Sequence, residues 1–316
     1  MSRPEFQDEL HILGNTIPAG SSTTINFNIA NLYTSTKVEI PIIVEHSLNK
    51  GPTLLITAGI HGDEINGVEV VRQLIAKKIN KPACGTTICI PILNVFGFLT
   101  MNRYFPDGKD LNRVFPGTAK GSLASRFAYH FVRDILPHAD LCLDFHAGGA
   151  SRFNAPQIRV ASGNEKQMKL AAIFNAPFTL ISKNLKKSYR SICGKKDIAM
   201  LLFEGGKSQS TDQNVAREGV EGVMRVLASY GMLATSFKVP ERDSSTVWIA
   251  NSSWIRARYS GLLHIKISCG KEVAKGELIA VITDPYGKMR HQIKAPRNGY
   301  IININESPLV YQGDAC

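Results

Sequence analysis

The sequence predicts an α/β domain with a mostly parallel, mixed sheet flanked by helices, followed by a small all-β module. Three observations carry this expectation. Short apolar runs ending in glycine or polar residues recur at 53–59 (TLLITAG), 86–92 (TTICIPI), 141–148 (LCLDFHAG) and 198–206 (IAMLLFEGG), as strands buried on both faces do. Segments of helical apolar spacing lie between them, and the alternation over roughly residues 40–235 argues for strand–helix–strand units. Past 239–248 (VPERDSSTVW) no helix-length period survives, and turn residues become closely spaced.

Taken in order, the first forty or so residues read as β-rich or irregular. Over 64–78, Val68, Val71, Leu74 and Ile75 share one helix face, and Leu123, Phe127, Phe131 and Ile135 do the same over 122–136. Further helices are expected at 164–174 and 212–230. The change of pattern divides the chain into a larger domain over 1–240 and a small β domain over 241–316. In the second, the spacing Gly270, Val273, Gly276, Ile279, then Ala295, Pro296, Gly299, Ile301, resembles the flattened barrel of lipoyl and biotinyl carrier domains. Such carriers hold their cofactor on a lysine directly after an acidic residue. Here Asp284 is followed by Pro285, and Lys288 is out of register, so the module is expected to be structural or oligomerising.

With 316 residues and 44% hydrophobic content, the chain is long enough for one large core and a smaller one. No 18-residue apolar run occurs and the N-terminus carries acidic residues, so neither a membrane span nor a signal peptide is expected, which points to the cytoplasm. The six cysteines form no C-x-x-C pair, which leaves no local thiolate zinc site or dithiol motif. The formal charge of +11 is compatible with an anionic partner. Its densest run, 183–196 (KNLKKSYRSICGKK), lacks interleaved aromatics beyond Tyr189, so it reads as a solvated loop or an anion-attracting rim and not as a nucleic-acid groove.

The chemistry gathers at strand ends. In 56–71 (ITAGIHGDEINGVEVV), His61 and Glu64 stand at i and i+3 where a buried strand hands over to a helix, so both side chains can face one point. Gly59 and Gly62 are expected to permit the tight turn. A second strand delivers His146 at its carboxyl end, the place where open parallel sheets bind ligands. Two histidines and a carboxylate make a zinc ligand set with a position left for water. Asp63 and Asp144 are candidates to orient those ligands, with helix capping an equal reading for Asp63. The loop 101–117 (MNRYFPDGKDLNRVFPG) holds Arg103, Asn112 and Arg113. Two arginines there suggest one group to grip a carboxylate and one to polarise a carbonyl, unless Asp110 and Arg113 merely pair to hold the loop. Glu204 ends a further strand, where a carboxylate can serve as general base. Arg159 is placed to contact either substrate or an acidic neighbour. The remaining histidines, His11, His46, His130, His138, His264 and His291, lack metal spacing and read as surface or packed side chains.

GIHGDE, DLNR, DFHAGG and FEGG, in that order, resemble the succinylglutamate desuccinylase and aspartoacylase family, a branch of the zinc carboxypeptidase clan. The resemblance covers roughly residues 40–235 and implies a zinc-carboxypeptidase-like fold with one Zn2+ per chain, bound by His61, Glu64 and His146. It further implies that Arg103 polarises the scissile carbonyl, that Asn112 and Arg113 hold the substrate carboxylate, and that Glu204 is general base and later proton donor. The expected activity is hydrolysis of the amide bond of a small anionic N-acyl amino acid, with no nucleic-acid or membrane partner. The rivals are a carboxypeptidase acting on short peptides and a non-catalytic binding module on a hydrolase scaffold. Edge strands in the β module offer a surface for a homo-oligomer.

Overall fold

The computed structural model describes residues 6–31 and 34–316. A hairpin of β1 (Leu10–Ile12) and β2 (Asn15–Ile17) precedes β3 (Ser21–Asn31), β4 (Lys37–His46), β5 (Thr53–Ala58), β6 (Thr86–Ile90), β7 (Leu141–Gly148), β8 (Arg152–Val160), β9 (Phe178–Ile181), β10 (Ala199–Lys207) and β11 (Val247–Ile249). The remaining strands are β12 (Gly261–Ile265), β13 (Glu272–Val273), β14 (Leu278–Thr283), β15 (Arg290–Lys294), β16 (Gly299–Tyr300), β17 (Asn303–Asn305) and β18 (Leu309–Val310). The helices are α1 (Ile65–Ala76), α2 (Val95–Leu99), α3 (Leu123–His130), α4 (Glu165–Phe174), α5 (Tyr189–Lys195) and α6 (Gln213–Ser229). None is long and apolar enough to cross a membrane.

One ten-stranded sheet organises the molecule, in the order β11-β9-β8-β10-β7-β5-β6-β4-β3, with β17 also paired to β8. Its centre, β6-β5-β7-β10, is parallel, and antiparallel joins occur where β4 meets β6 and β8 meets β10. The four apolar runs read from the sequence are these four central strands. Every residue of β5, β6 and β7 is buried, as strands covered on both faces must be.

Alternation along β7 sorts its side chains into two cores. Leu141, Leu143 and Phe145 join the apolar layer under α1, α4 and α6, whereas Cys142 joins the layer under α3 and α5. By the same period of two, Asp144 and His146 face the second side. In β10, Leu201 and Phe203 belong to the first layer and Met200 to the second, so Glu204 shares the side of His146.

Three local expectations change. The buried face of α1 is centred on Gly67, Val70, Val71 and Leu74, not on Val68 and Ile75. At Gly67 a Cβ would lie 2.4 Å from the Phe145 carbonyl oxygen, so glycine lets the helix rest directly on β7 and turns that face inward. The helix expected over 122–136 is α-helical only to His130. It widens to a π turn at Phe131–Ile135 and closes as a 3-10 turn at Leu136–His138. Pro137 explains this, because it has no N–H to offer and its ring crowds the carbonyl four residues back. The basic run at 183–196 is not simply a solvated loop. It contains α5, in which Tyr189, Arg190, Ile192 and Cys193 are buried, and Tyr189 stacks on Phe115 at 5.6 Å as part of the core.

After residue 240 the chain forms two antiparallel sheets, β15-β14-β12-β18 and β13-β16, around Leu263, Ile267, Val273, Ile279 and Ile293. It also lends β11 and β17 to the large sheet. Strands of three residues carry too little periodicity for their partner to be read from sequence.

Phe145 is fully buried, 5.4 Å from Phe203 and 6.5 Å from Phe174, between the rings and the helix layer. Phe145→Ala should cost about 3–5 kcal/mol, the usual result of emptying an aromatic core site, and should appear as a lowered urea midpoint.

Candidate metal centre and active site

His61 lies three residues beyond β5, and Glu64 occupies the cap position of α1. The two neighbouring glycines do different jobs. Gly59 takes a left-handed φ of +62°, the turn expected of it. Gly62 permits a backbone contact instead, since a Cβ there would fall 1.9 Å from the Gly97 carbonyl carbon in α2. The start of α1 is tied to the end of β10 by Asn66, whose amide donates to the Lys207 carbonyl at 3.0 Å and accepts from the Asp212 N–H at 2.7 Å. One buried side chain thereby fixes the ends of the strands that carry His61 and Glu204.

His61 and His146 turn their Nδ1 atoms toward the two oxygens of Glu64, at 2.7 Å and 2.9 Å. All three residues are buried, and their ligand atoms lie within 4.8 Å of one another, so they could hold one metal ion. The outward nitrogens are backed by carboxylates, as metal-bound imidazoles require. His146 Nε2 lies 2.8 Å from Asp144 Oδ2, and His61 Nε2 lies 3.1 Å from Asp110 Oδ1. Asp144 is fixed in turn by the Thr57 hydroxyl, which donates to it at 2.7 Å. The donor set and its supports fit a divalent ion. Of the two aspartates considered from sequence, Asp144 takes the orienting role and Asp63 takes neither role. The Asp63 side chain caps no helix, and its buried Oδ1 has no partner among the described residues. Asp110 does that work from a loop far along the chain.

Electrostatics follow from this burial. Burial pushes the Glu64 carboxyl up, but the charges and hydrogen bonds of His61 and His146 outweigh it and hold Glu64 well below the usual carboxylate range. Burial opposes charge on His61, yet Glu64 and Asp110 raise its pKa, and Asp144 with Glu64 does the same more strongly for His146. Burial likewise opposes charge on Asp110, but His61 and Arg103 hold it below its ordinary value.

Arg103 reaches the same cluster. Its guanidinium donates to Asp110 Oδ2 from Nε and Nη2 at 3.2 and 3.0 Å, and to Glu64 Oε1 from Nη1 at 3.2 Å. Asp110 therefore pairs with Arg103 and His61, not with Arg113. Asn112 and Arg113 lie in a 3-10 turn, Leu111–Arg113, whose first N–H groups are capped by Asp110. The Asn112 carbonyl oxygen of the side chain accepts from the Tyr189 N–H at 2.9 Å, leaving the amide NH2 with no described partner. Arg113 is exposed and, among the described residues, bonds only the adjacent Asn112 backbone carbonyl, at 2.7 Å. Both side chains thus keep donors available.

Glu204 stands opposite His146 in the β7–β10 register, just before an irregularity that ends regular pairing and re-aims the strand. Its Oε2 accepts from Asn154 Nδ2 at 2.9 Å, and its Oε1 lies 3.7 Å from Arg159 Nε. The acidic neighbour expected for Arg159 is therefore Glu204. Arg190, buried in α5 and bonded to Ser182 and the Lys183 carbonyl, also feels this pair. Burial and Arg159 bring its pKa down to about 10, against the pull of Glu204. Sequence reading missed Arg190 because it sits inside a run of exposed lysines. The signal available was the buried-type spacing of Tyr189, Ile192 and Cys193 around it. Among the described residues no other histidine joins a metal-type group, and His46 and His264 are satisfied by Thr86 and Thr283.

Comparison with known proteins places this geometry. Residues 50–230 match the model of the succinylglutamate desuccinylase/aspartoacylase catalytic domain. The chain is 28% identical over 291 residues to an N-α-acetyl-L-2,4-diaminobutyric acid deacetylase of Halomonas elongata, an alignment covering 88% of this chain and 84% of that one. The product-bound ectoine utilization protein EutE (DoeB) of Ruegeria pomeroyi superposes with a TM-score of 0.79 at 25% identity, over 93% of both chains. A succinylglutamate desuccinylase of Silicibacter sp. TM1040 gives a TM-score of 0.80 at 25% identity, over 94% of this chain and 93% of its own. With more than half its length matched, its mixed sheet shared and its His-Glu-His group in place, this chain belongs to the succinylglutamate desuccinylase/aspartoacylase family.

Proposed function

We propose that this chain is a zinc-dependent hydrolase that removes the acyl group from a small anionic N-acyl amino acid or a related amide. The observation that carries the reading is the buried His61–Glu64–His146 group with Glu204 beside it in register and Arg103 bonded to its carboxylate. The deacylating relatives support the reaction class. When bound by those three residues, zinc supplies Lewis acidity and lowers the pKa of water toward neutrality.

The protein's own groups account for the remaining steps. Glu204 takes the proton from the attacking water and returns it to the leaving amine, the two halves of general base and acid catalysis. Arg103 steadies the negative charge that develops on the acyl oxygen, an effect typically worth roughly 3–4 kcal/mol for one well-placed donor. Asn112 and Arg113, with their unclaimed donors, hold the substrate carboxylate. Arg159 and Arg190 add positive charge near Glu204, which favours an anionic substrate over a neutral one.

Glu204→Gln keeps the shape and removes the base, so kcat on an accepted N-acyl amino acid should fall by about 10²–10⁴-fold with zinc content unchanged. A wild-type rate would remove Glu204 from the scheme. Initial rates on N-acetyl and N-succinyl amino acids should exceed those on short peptides, and the reverse order would make the protein a carboxypeptidase.

Protein purified without chelator should carry about one zinc per chain. Asp144→Asn should weaken zinc binding by about 10–100-fold, because His146 loses the carboxylate behind it. Both site histidines hold their protons to higher pH than the ordinary 6.5, and zinc must displace those protons. Zinc affinity should therefore rise with pH through and above that value, with proton release measurable in weakly buffered solution. Absence of zinc together with no uptake would favour a binding protein.

A further inference from the structure

The C-terminal part of the chain reaches the catalytic carboxylate through two asparagines. β17 pairs antiparallel with the start of β8, with Asn303 directly opposite Asn154. Asn303 Nδ2 donates to Asn154 Oδ1 at 2.6 Å, and Asn154 Nδ2 donates to Glu204 Oε2 at 2.9 Å. Asn154 is only 3% exposed.

A side-chain amide has an acceptor end and a donor end of nearly equal size, so its shape alone does not decide which end faces a neighbour. Glu204, which can only accept, and Asn303, which donates from the other side, fix it together here. With Asn154 Oδ1 accepting from Asn303, its NH2 must face Glu204. The flipped amide would set oxygen against carboxylate on one side and NH2 against NH2 on the other. The Asn303 side chain has no other described partner, and its buried Oδ1 has none. Its one bond is therefore spent on fixing Asn154.

The same arrangement makes the two oxygens of Glu204 unequal. Oε2 is occupied by Asn154, whereas Oε1 has, among the described residues, only Arg159 Nε at 3.7 Å and stays open for proton transfer. We propose that Asn303 and Asn154 are a positioning pair, through which the C-terminal module holds Glu204 in the orientation its proton transfers require. This rests on Glu204 being the general base, as proposed above. Neither asparagine touches the reacting atoms in this scheme, and each acts through Glu204.

The test uses the full-length zinc-loaded protein and one accepted N-acyl amino acid, with kcat, KM, zinc content and Tm measured for each variant. Asn154→Ala should lower kcat by about 10–100-fold, the range for losing a hydrogen bond to a charged group, with KM within about twofold. Asn303→Ala should lower kcat several-fold alone and add nothing to Asn154→Ala, because both act through one bond. Asn303→Asp should be worse than Asn303→Ala despite its closer shape, since a second carboxylate at that place competes with Glu204 for the Asn154 NH2. Asn303→Gln, which keeps a donor, should recover part of the rate. Equal losses for Asn303→Ala and Asn303→Asp that track falling Tm or zinc content would mean a merely structural contact and overturn the proposal. So would a full additional loss in the double variant. Glu204→Gln separates the two readings. If it is inactive while the asparagine variants run at the wild-type rate, the positioning pair alone is wrong, whereas an active Glu204→Gln removes the base and the pair with it.

Discussion

The site is built around one costly act, the removal of the Glu64 carboxylate from water. An ionised carboxylate is tolerated in a protein interior only when charges and donors replace its hydration. Glu64 is given His61 from beyond β5, His146 and the Ala147 N–H from the end of β7, and Arg103 from the loop after α2. Three separate segments must therefore end at one point, which the central parallel strands accomplish by delivering their carboxyl ends side by side. Glu64, Asp110 and Asp144 face Arg103 and two imidazoles, so each of the three carboxylates is met by a guanidinium or a histidine nitrogen.

What was legible in the sequence follows from how local each feature is. The strands β5, β6, β7 and β10 are continuous apolar runs, and His61, Glu64, His146 and Glu204 sit at their ends, so a reader of local pattern can find them. Asp110 as the support for His61 was not legible, because the two are joined only by the fold. Asp63 stands nearer along the chain, yet its buried Oδ1 has no hydrogen-bond partner among the described residues. The inward face of α1 keeps Val71 and Leu74 but is centred nearer Gly67 than the apolar count places it, since Gly67 is silent in that count yet decides how closely the helix meets β7. Arg190 was hidden by composition, one buried guanidinium among exposed lysines. The short strands β11 and β17 left no periodic trace of their partner sheet.

Around this cluster stand further arginines. Arg113 is exposed, Arg159 is half-buried beside Glu204, and the buried Arg190 feels the charge of both Arg159 and Glu204. Together with a formal net charge of +11, this gives an approaching anion a favourable field well before contact. A cavity of about 620 Å³ lies between β8, β9 and β11 on one side and the C-terminal sheets on the other, and Asn154 and Arg159 line it while touching Glu204. The two partners of Glu204 thus border a space walled partly by the last seventy-odd residues, including Trp248 and Tyr300.

The way β8 is bordered has a consequence for synthesis. One side of β8 pairs with β10, and the other is shared, with residues 157–160 taken by β9 and residues 152–154 by β17. β9 follows β8 closely, but β17 comes some 140 residues later. A chain still emerging from the ribosome therefore carries the bare edge of Arg152–Asn154 until its final strands arrive. That interval is when pairing with another nascent copy is easiest, and the arginine at the head of the strand is a charge of the kind that discourages it.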